Sequence, residues 1–302
     1  MRKLLLSTAA FCLVAQLATA QIRLPSPSPA ASVMQTIGTT DVTVKYSRPS
    51  LKGRQVFTSA LVPYGKLWRT GANQATNITT TTDMMVNGQK LAAGSYALLS
   101  IPDQSQWTMI FSKNLTVTEA NYKQDDDVLR VMITPAAAGE KAETFTINFS
   151  DVTDSTANMN IMWGMAKATA KLGVDVNANA AANVDKAVAE KPEDAAVLQA
   201  AAAYNLSKGR NLEQALAWTD KSIGMKETFR NVWVKAQILA KMGKFAEAVP
   251  LAQKAMSIGE TSKDAAFPFF KDAIAKGVTD YTAKMPVAIP ASVKGKKGKK
   301  KS

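Results

Sequence analysis

The chain has 302 residues, 46% of them hydrophobic, and a formal charge of +13. That length allows two domains, and that composition excludes wholesale disorder. Setting aside Arg2 and Lys3 at the start and the six lysines of the last nine residues leaves +5 on the body, too mild a bias for a nucleic-acid-binding surface.

There is no histidine, and the one cysteine is Cys12, within an N-terminal apolar run. If that run is removed, the mature chain has neither imidazole nor thiol. Ser-His-Asp and Cys-His catalysis, His or Cys zinc sites and structural disulfides are then excluded. No cofactor and no metal is expected.

Residues 1–20 read as a secretory signal peptide. Arg2-Lys3 forms the charged start, Leu4 to Leu17 the apolar stretch, and Ala18-Thr19-Ala20 a small-residue cleavage site. Cys12 lies before the cut and cannot be a lipidated first residue. The run is too short to span a bilayer, and no other stretch is long and apolar enough. The expected product is a periplasmic or secreted protein beginning at Gln21. A Pro/Ser-rich leader follows over 21–30.

Residues 31–176 alternate with a period of two. Val42, Val44 and Tyr46 form one run, and Trp107, Met109 and Phe111 another. Leu129, Val131 and Ile133, then Phe145, Ile147 and Phe149, then Met159, Ile161 and Trp163 continue the pattern. Short alternating runs separated by turn residues predict an antiparallel β-sandwich or barrel-like domain. Asn87-Gly88, between Met84-Met85-Val86 and Gln89-Lys90-Leu91, predicts a type I′ hairpin. The run Ser95 to Ile101 is closed by Pro102-Asp103.

From about 177 to 284 the period becomes helical, which makes the fold a multidomain β + α chain. Helices are predicted at 178–190, 194–207, 211–223, 228–242, 245–257 and 262–276, with Gly209, Gly224, Gly243 and Gly259 at or near their ends. Pro250 falls inside one of them. Gly209 to Ala215 is similar to Gly243 to Ala248, and Ser222-Ile223-Gly224 recurs as Ser257-Ile258-Gly259. This α-helical hairpin repeat of 33 to 35 residues resembles the tetratricopeptide repeat. The family's first-helix Gly and Tyr are replaced by Ala203 or Ala236 and by Leu206 or Leu239, so the array is degenerate. Residues 285–302 end in the Lys/Gly tail and are expected to be disordered.

The stretch Val62 to Asn73 joins two β-rich halves and gathers a proline, two glycines, two aromatics, two cations and an amide. It belongs to a set of ordered motifs: Ser32 to Gly38, Tyr46-Ser47-Arg48-Pro49, Lys52-Gly53-Arg54, Leu61 to Asn73, Val86 to Tyr96 and Asp127 to Val131. On these motifs, roughly residues 30–165 resemble the exported Gram-negative family called domain of unknown function 2911. Ala92 and Ala93 stand where that family usually has proline. The resemblance implies a compact β domain and export, and supplies no reaction.

The candidate ligand residues are Arg48, Arg54, Tyr64, Lys66, Trp68, Arg69 and Asn73. Guanidinium forks grip carboxylate or phosphate, and aromatic faces stack planar groups or sugars. Converging, they would hold a small anionic or carbohydrate-like ligand. Otherwise the arginines tie loops to carbonyls and acids while Trp68 plugs the end of the sandwich. Asp125-Asp126-Asp127 offers oxygens for Ca²⁺ or simply a solvated turn.

The reading that follows is a non-catalytic envelope protein, with a protein partner on the helical repeats and an anionic envelope surface for the Lys tail. The alternative is a carboxylate-based hydrolase acting on envelope glycans, whose acid pair would be assembled by folding.

Overall fold

The computed structural model describes residues 24–57 and 61–285. The expected signal peptide and the Lys-rich tail lie outside these residues, as does the start of the Pro/Ser-rich leader. The chain divides into two compact units between Asp175 and Val176.

The described residues of the first unit form ten strands. They are β1 (Ala30–Ile37), β2 (Thr40–Ser47), β3 (Thr76–Thr80), β4 (Met84–Val86), β5 (Gln89–Leu91), β6 (Gly94–Ile101), β7 (Trp107–Ser112), β8 (Asp127–Ile133), β9 (Ala136–Ser150) and β10 (Thr156–Gly173). They form a six-stranded sheet, ordered β1-β2-β3-β6-β7-β8, and a four-stranded sheet, ordered β5-β4-β10-β9. All neighbours are antiparallel.

The predicted alternation is visible in β2, where Val42, Val44 and Tyr46 are buried and Asp41 and Lys45 are exposed. Each fully buried apolar side chain of this kind contributes about 1.5–3 kcal/mol. Tyr46 also binds the two sheets together. Its hydroxyl donates to the Ile147 carbonyl at 3.2 Å and accepts the Ile147 N–H at 3.1 Å. Asn87 and Gly88 have φ of 47° and 79°, the positive pair that a type I′ turn requires.

Alternation fails in β6, where Tyr96 to Ser100 are all buried. The loop after β7 covers the outer face of the six-stranded sheet. There Ala97, Leu99 and Ile110 pack with Ala75 and Val117 in a second, smaller core. A strand covered on both faces reads as a continuous apolar run, as Ser95 to Ile101 does.

The longest strands are interrupted. Pairing between β10 and β9 runs from Met162↔Thr146 to Gly164↔Ala142 and then to Ala166↔Ala137, with irregularities on both sides of Gly164. Extra residues of β9 are thrown out of the ladder there.

The described residues of the second unit form six helices: α1 (Val176–Glu190), α2 (Ala195–Lys208), α3 (Leu212–Met225), α4 (Phe229–Lys241), α5 (Phe245–Thr261) and α6 (Phe267–Ala283). Their ends follow local chemistry. The Asp194 carboxylate accepts from the N–H groups of Ala196 and Val197. Gly209 ends α2 in the left-handed region, with φ 64°. Thr228 and Asn231 close a reciprocal capping box on α4.

Alanines bring the helices close: Ala202, Ala215, Val234 and Ile238 make one core, and Ala236, Ala252 and Ala255 join Phe229, Trp233 and Phe267 in another. Two expectations are corrected. The last helix is not 262–276 but Phe267–Ala283, started by Pro268 in its first turn, where proline removes no needed hydrogen bond. Gly259 does not stop α5; it lies within the helix because the Phe267 ring fills the space of its missing side chain. No helix among the described residues is long and apolar enough to cross a membrane.

Candidate functional site

Six of the seven candidate residues fall into three environments, and Lys66 stands apart from them. Trp68 is core: it is 6% exposed. Its backbone exchanges two hydrogen bonds with Ser100, at 2.8 and 2.9 Å, and its indole Nε1 donates to the Gly71 carbonyl at 2.9 Å. Its ring lies parallel to Trp163 at 5.9 Å and edge-on to Phe145 at 5.3 Å. Every polar group of this indole has a partner, so it plugs the sandwich.

Arg48, Arg69 and Asn73 hold segments together. Arg48 donates from Nε to the Phe145 carbonyl at 3.0 Å and from Nη2 to Thr146 Oγ1 at 2.8 Å. Arg69 grips Glu119: Nε donates to Oε1 at 2.9 Å, Nη2 pairs with Oε2, and Nη1 donates to the Asn73 carbonyl. Asn73 Nδ2 donates in turn to the Ser28 carbonyl at 3.2 Å and to Ser47 Oγ at 3.3 Å.

Hydrogen bonding to Glu119 raises the Arg69 pKa against an opposing effect of burial. Burial alone would raise Glu119, but the Arg69 hydrogen bonds and charge outweigh it and hold the carboxyl below its ordinary value. Lys66 is exposed on the turn after Gly65.

Arg54 and Tyr64 form the third group. They line one cavity of about 610 Å³, within the range of small-molecule sites. Tyr64 is 40% exposed and stacks on Phe57 at 5.1 Å. Phe57 stands edge-on to Trp107 at 5.3 Å, and Trp107 and Trp163 complete the aromatic wall. Arg54 is fixed by its own turn, with Nε donating to the Leu51 carbonyl and Nη2 to the Ser50 carbonyl, each at 2.8 Å. Lys141, Asp103, Gln104 and Gln55 add further charged and polar side chains to the lining.

The cavity owes its existence to the interrupted ladder. Gly164, Met165 and Ala166 of β10 and Ala136 and Ala137 of β9 line it, at the place where pairing jumps register. Gly164 has φ 60°, and a Cβ there would lie 2.9 Å from Val56 Cγ2. The site residues that pattern reading missed, Phe57, Lys141 and Trp163, come from distant segments. The one local signal was Gly164 inside an apolar alternation, a mark of a bulge or of close backbone approach.

The acids at 125–127 do not converge. Asp126 pairs with Lys113 at 3.4 Å and Asp127 with Arg130 at 2.7 Å. Among the described residues no group of three metal-binding side chains is present.

No curated protein matches the chain. The sequence profile of the family described as Protein of unknown function (DUF2911) matches residues 28–172, which is almost the whole strand-built unit. The β unit of this chain is thus a DUF2911 domain, followed by a helical region.

Proposed function

We propose that this is an exported, non-catalytic envelope protein. In this reading its β unit binds a small ligand, anionic or carbohydrate-like, and its helical unit docks a protein partner. The observation that carries the first part is the aromatic-walled cavity holding Arg54 and Tyr64. Stacking surfaces beside a fixed guanidinium are binding chemistry. A glycan hydrolase needs two carboxylates about 5–10 Å apart across its substrate. Asp103 is the only acid among the described residues lining this cavity, which favours binding over hydrolysis.

The second part rests on the hairpins. Gly209 and Gly243, equivalent in the repeat, both take positive φ after α2 and α4. Stacked hairpins of this kind, here read as tetratricopeptide-like, present extended surfaces suited to peptides. Export rests on the signal-like start, and the Lys tail suits it to an anionic envelope surface, weakly and in a salt-sensitive way.

The test is a thermal-shift screen of the chain from Gln21 to Ser302 against envelope glycans and anionic metabolites, with Arg54→Ala alongside. A ligand that binds only the folded protein raises its melting temperature. A shift abolished by Arg54→Ala supports the reading. The absence of any shift refutes the β-unit site.

A further inference from the structure

The cavity beside Gly164 is lined by two kinds of residue. Leu51, Val56, Trp107 and Trp163 are at most 6% exposed, so their surface is spent on the core. The exposed side chains, Met165 and two alanines apart, are Arg54, Gln55, Tyr64, Asp103, Gln104 and Lys141. An entering molecule meets chiefly polar groups, and an apolar body would remove little apolar surface from water there.

Arg54 is preset. The carbonyls of its own turn hold its Nε and Nη2, and its Nη1 has no partner among the described residues. A guanidinium already fixed loses little freedom when it grips an oxygen. Lys141 reaches the same wall through the break in the ladder. Between Gly164↔Ala142 and Ala166↔Ala137, Met165 alone is set against residues 138–141 of β9. Lys141 meets Glu143 only loosely, at 3.8 Å and with both groups more than half exposed, so its charge stays available.

Arg54 and Lys141 against Asp103 leave one positive charge in excess on the lining. One carboxylate matches that excess, and a phosphate monoester, at about −1.5 to −2, overshoots it. The remaining groups suit hydroxyls, which both donate and accept. The Gln104 amide and the Tyr64 hydroxyl do the same. Asp103 accepts the Gln104 N–H on Oδ1 at 2.6 Å, which leaves Oδ2 for a donor. Tyr64, stacked on Phe57 and 40% exposed, adds a rigid aromatic surface for a saturated ring.

Resting on the reading of this cavity as a ligand site, we infer that its ligand is an acidic sugar, a pyranose ring carrying one carboxylate. Arg54 and Lys141 hold the carboxylate, and Gln104 and Asp103 take ring hydroxyls beside Tyr64. The anionic and the carbohydrate-like halves of the broader reading are then properties of one molecule.

The experiment uses the chain from Gln21 to Ser302 with ¹⁵N-labelled tyrosine. The probes are methyl glucuronide, methyl glucoside, which has the same ring and no charge, and cyclohexanecarboxylate, which has the charge and no hydroxyls. Calorimetry gives the affinities. The Tyr64 amide resonance, identified by its loss in Tyr64→Phe, reports contact at the cavity wall. Methyl glucuronide should bind about tenfold more tightly than either other probe and shift that resonance saturably. Arg54→Met should weaken methyl glucuronide and leave methyl glucoside unchanged. Lys141→Met, at an exposed position that leaves the turn of Arg54 intact, should do the same.

Methyl glucoside or cyclohexanecarboxylate binding as tightly as methyl glucuronide overturns the inference. So does methyl glucuronide binding with an unmoved Tyr64 amide, or binding that neither substitution weakens. Where another probe moves the Tyr64 amide, the cavity still binds a ligand and the broader reading stands. If no probe binds, this inference fails; an empty result in the wider screen of glycans and anionic metabolites is what removes the ligand site itself.

Discussion

Gly164→Ala tests the feature that opens the cavity. Two costs add at this position. Gly164 has φ 60°, and moving an alanine into the left-handed region costs about 1 kcal/mol relative to glycine. The new Cβ would also lie 2.9 Å from Val56 Cγ2, closer than carbon atoms tolerate, and Val56 is itself buried. Displacing a packed β-branched side chain adds about 1–2 kcal/mol.

Gly65→Ala is the matched control, because Gly65 has φ 70° with nothing within 4 Å of the Cβ position, so only the first cost applies. For a unit of this size about 1 kcal/mol moves the melting temperature by roughly 3 °C. Gly164→Ala should therefore lower it by about 6–9 °C and Gly65→Ala by about 3 °C. Thermal unfolding followed by tryptophan fluorescence, with circular dichroism at 222 nm as a separate report on the helices, measures both. Equal shifts in the two variants would refute the contact with Val56, and an unshifted Gly164→Ala would refute the strained turn as well.

Arg69→Ala should cost about 1 kcal/mol at neutral pH, a modest value because the pair with Glu119 is partly exposed. The Glu119 carboxyl is held below its ordinary value of 4.5, so the folded chain binds fewer protons than the unfolded one. The stabilisation is present above that value and is lost as pH falls through the lower folded value. The gap in melting temperature between wild type and Arg69→Ala should close on acidification, and a gap independent of pH would remove the ion pair as its source.

In the helices, Gly224→Ala should stabilise by up to about 1 kcal/mol, because nothing lies within 4 Å of the new methyl group. Gly259→Ala should instead destabilise by about 1–3 kcal/mol, because its Cβ would fall 1.9 Å from the Phe267 ring. Urea titrations of both should give opposite signs. Asn231→Ala should cost about 2–3 kcal/mol, since its side chain donates to Ser222 Oγ and the Lys226 carbonyl and accepts the Thr228 N–H. Denaturation with no change there would show that water replaces the network.

What the sequence disclosed depended on how local the cause was. The Asn87-Gly88 turn, the alternation of β2 and the end of α2 at Gly209 are set by neighbours within a few residues, and all three appear where expected. Strand β1 passed unnoticed because Ala30 to Thr36 leave no residue fully buried, so no apolar face marks an edge strand. Gly259 misled for a tertiary reason: a glycine in a helix can make room for Phe267 as readily as it can end the helix.

The candidate site divided along the same line. Chain proximity gathered Tyr64, Trp68, Arg69 and Asn73 into one stretch. The fold turns Trp68 inward and Arg69 toward Glu119, and sends Tyr64 to meet Phe57 and, with it, the cavity wall. Trp163 read as a core residue on an alternating strand, and it is one. Its nitrogen is unpaired, and β9 leaves the ladder beside it, which no periodicity records.

The broken ladder also divides β10 in time. From Asn158 to Met162 the strand is zipped continuously to β9, and at Leu172 and Gly173 it pairs with β4. Backbone amides in those two sections open only when much of the β unit does, so their protons exchange with solvent slowly. Between Trp163 and Ala166 regular pairing is interrupted, and the amides there exchange through small local openings. One strand thus carries two clocks, and the fast one lies where Gly164, Met165 and Ala166 line the cavity.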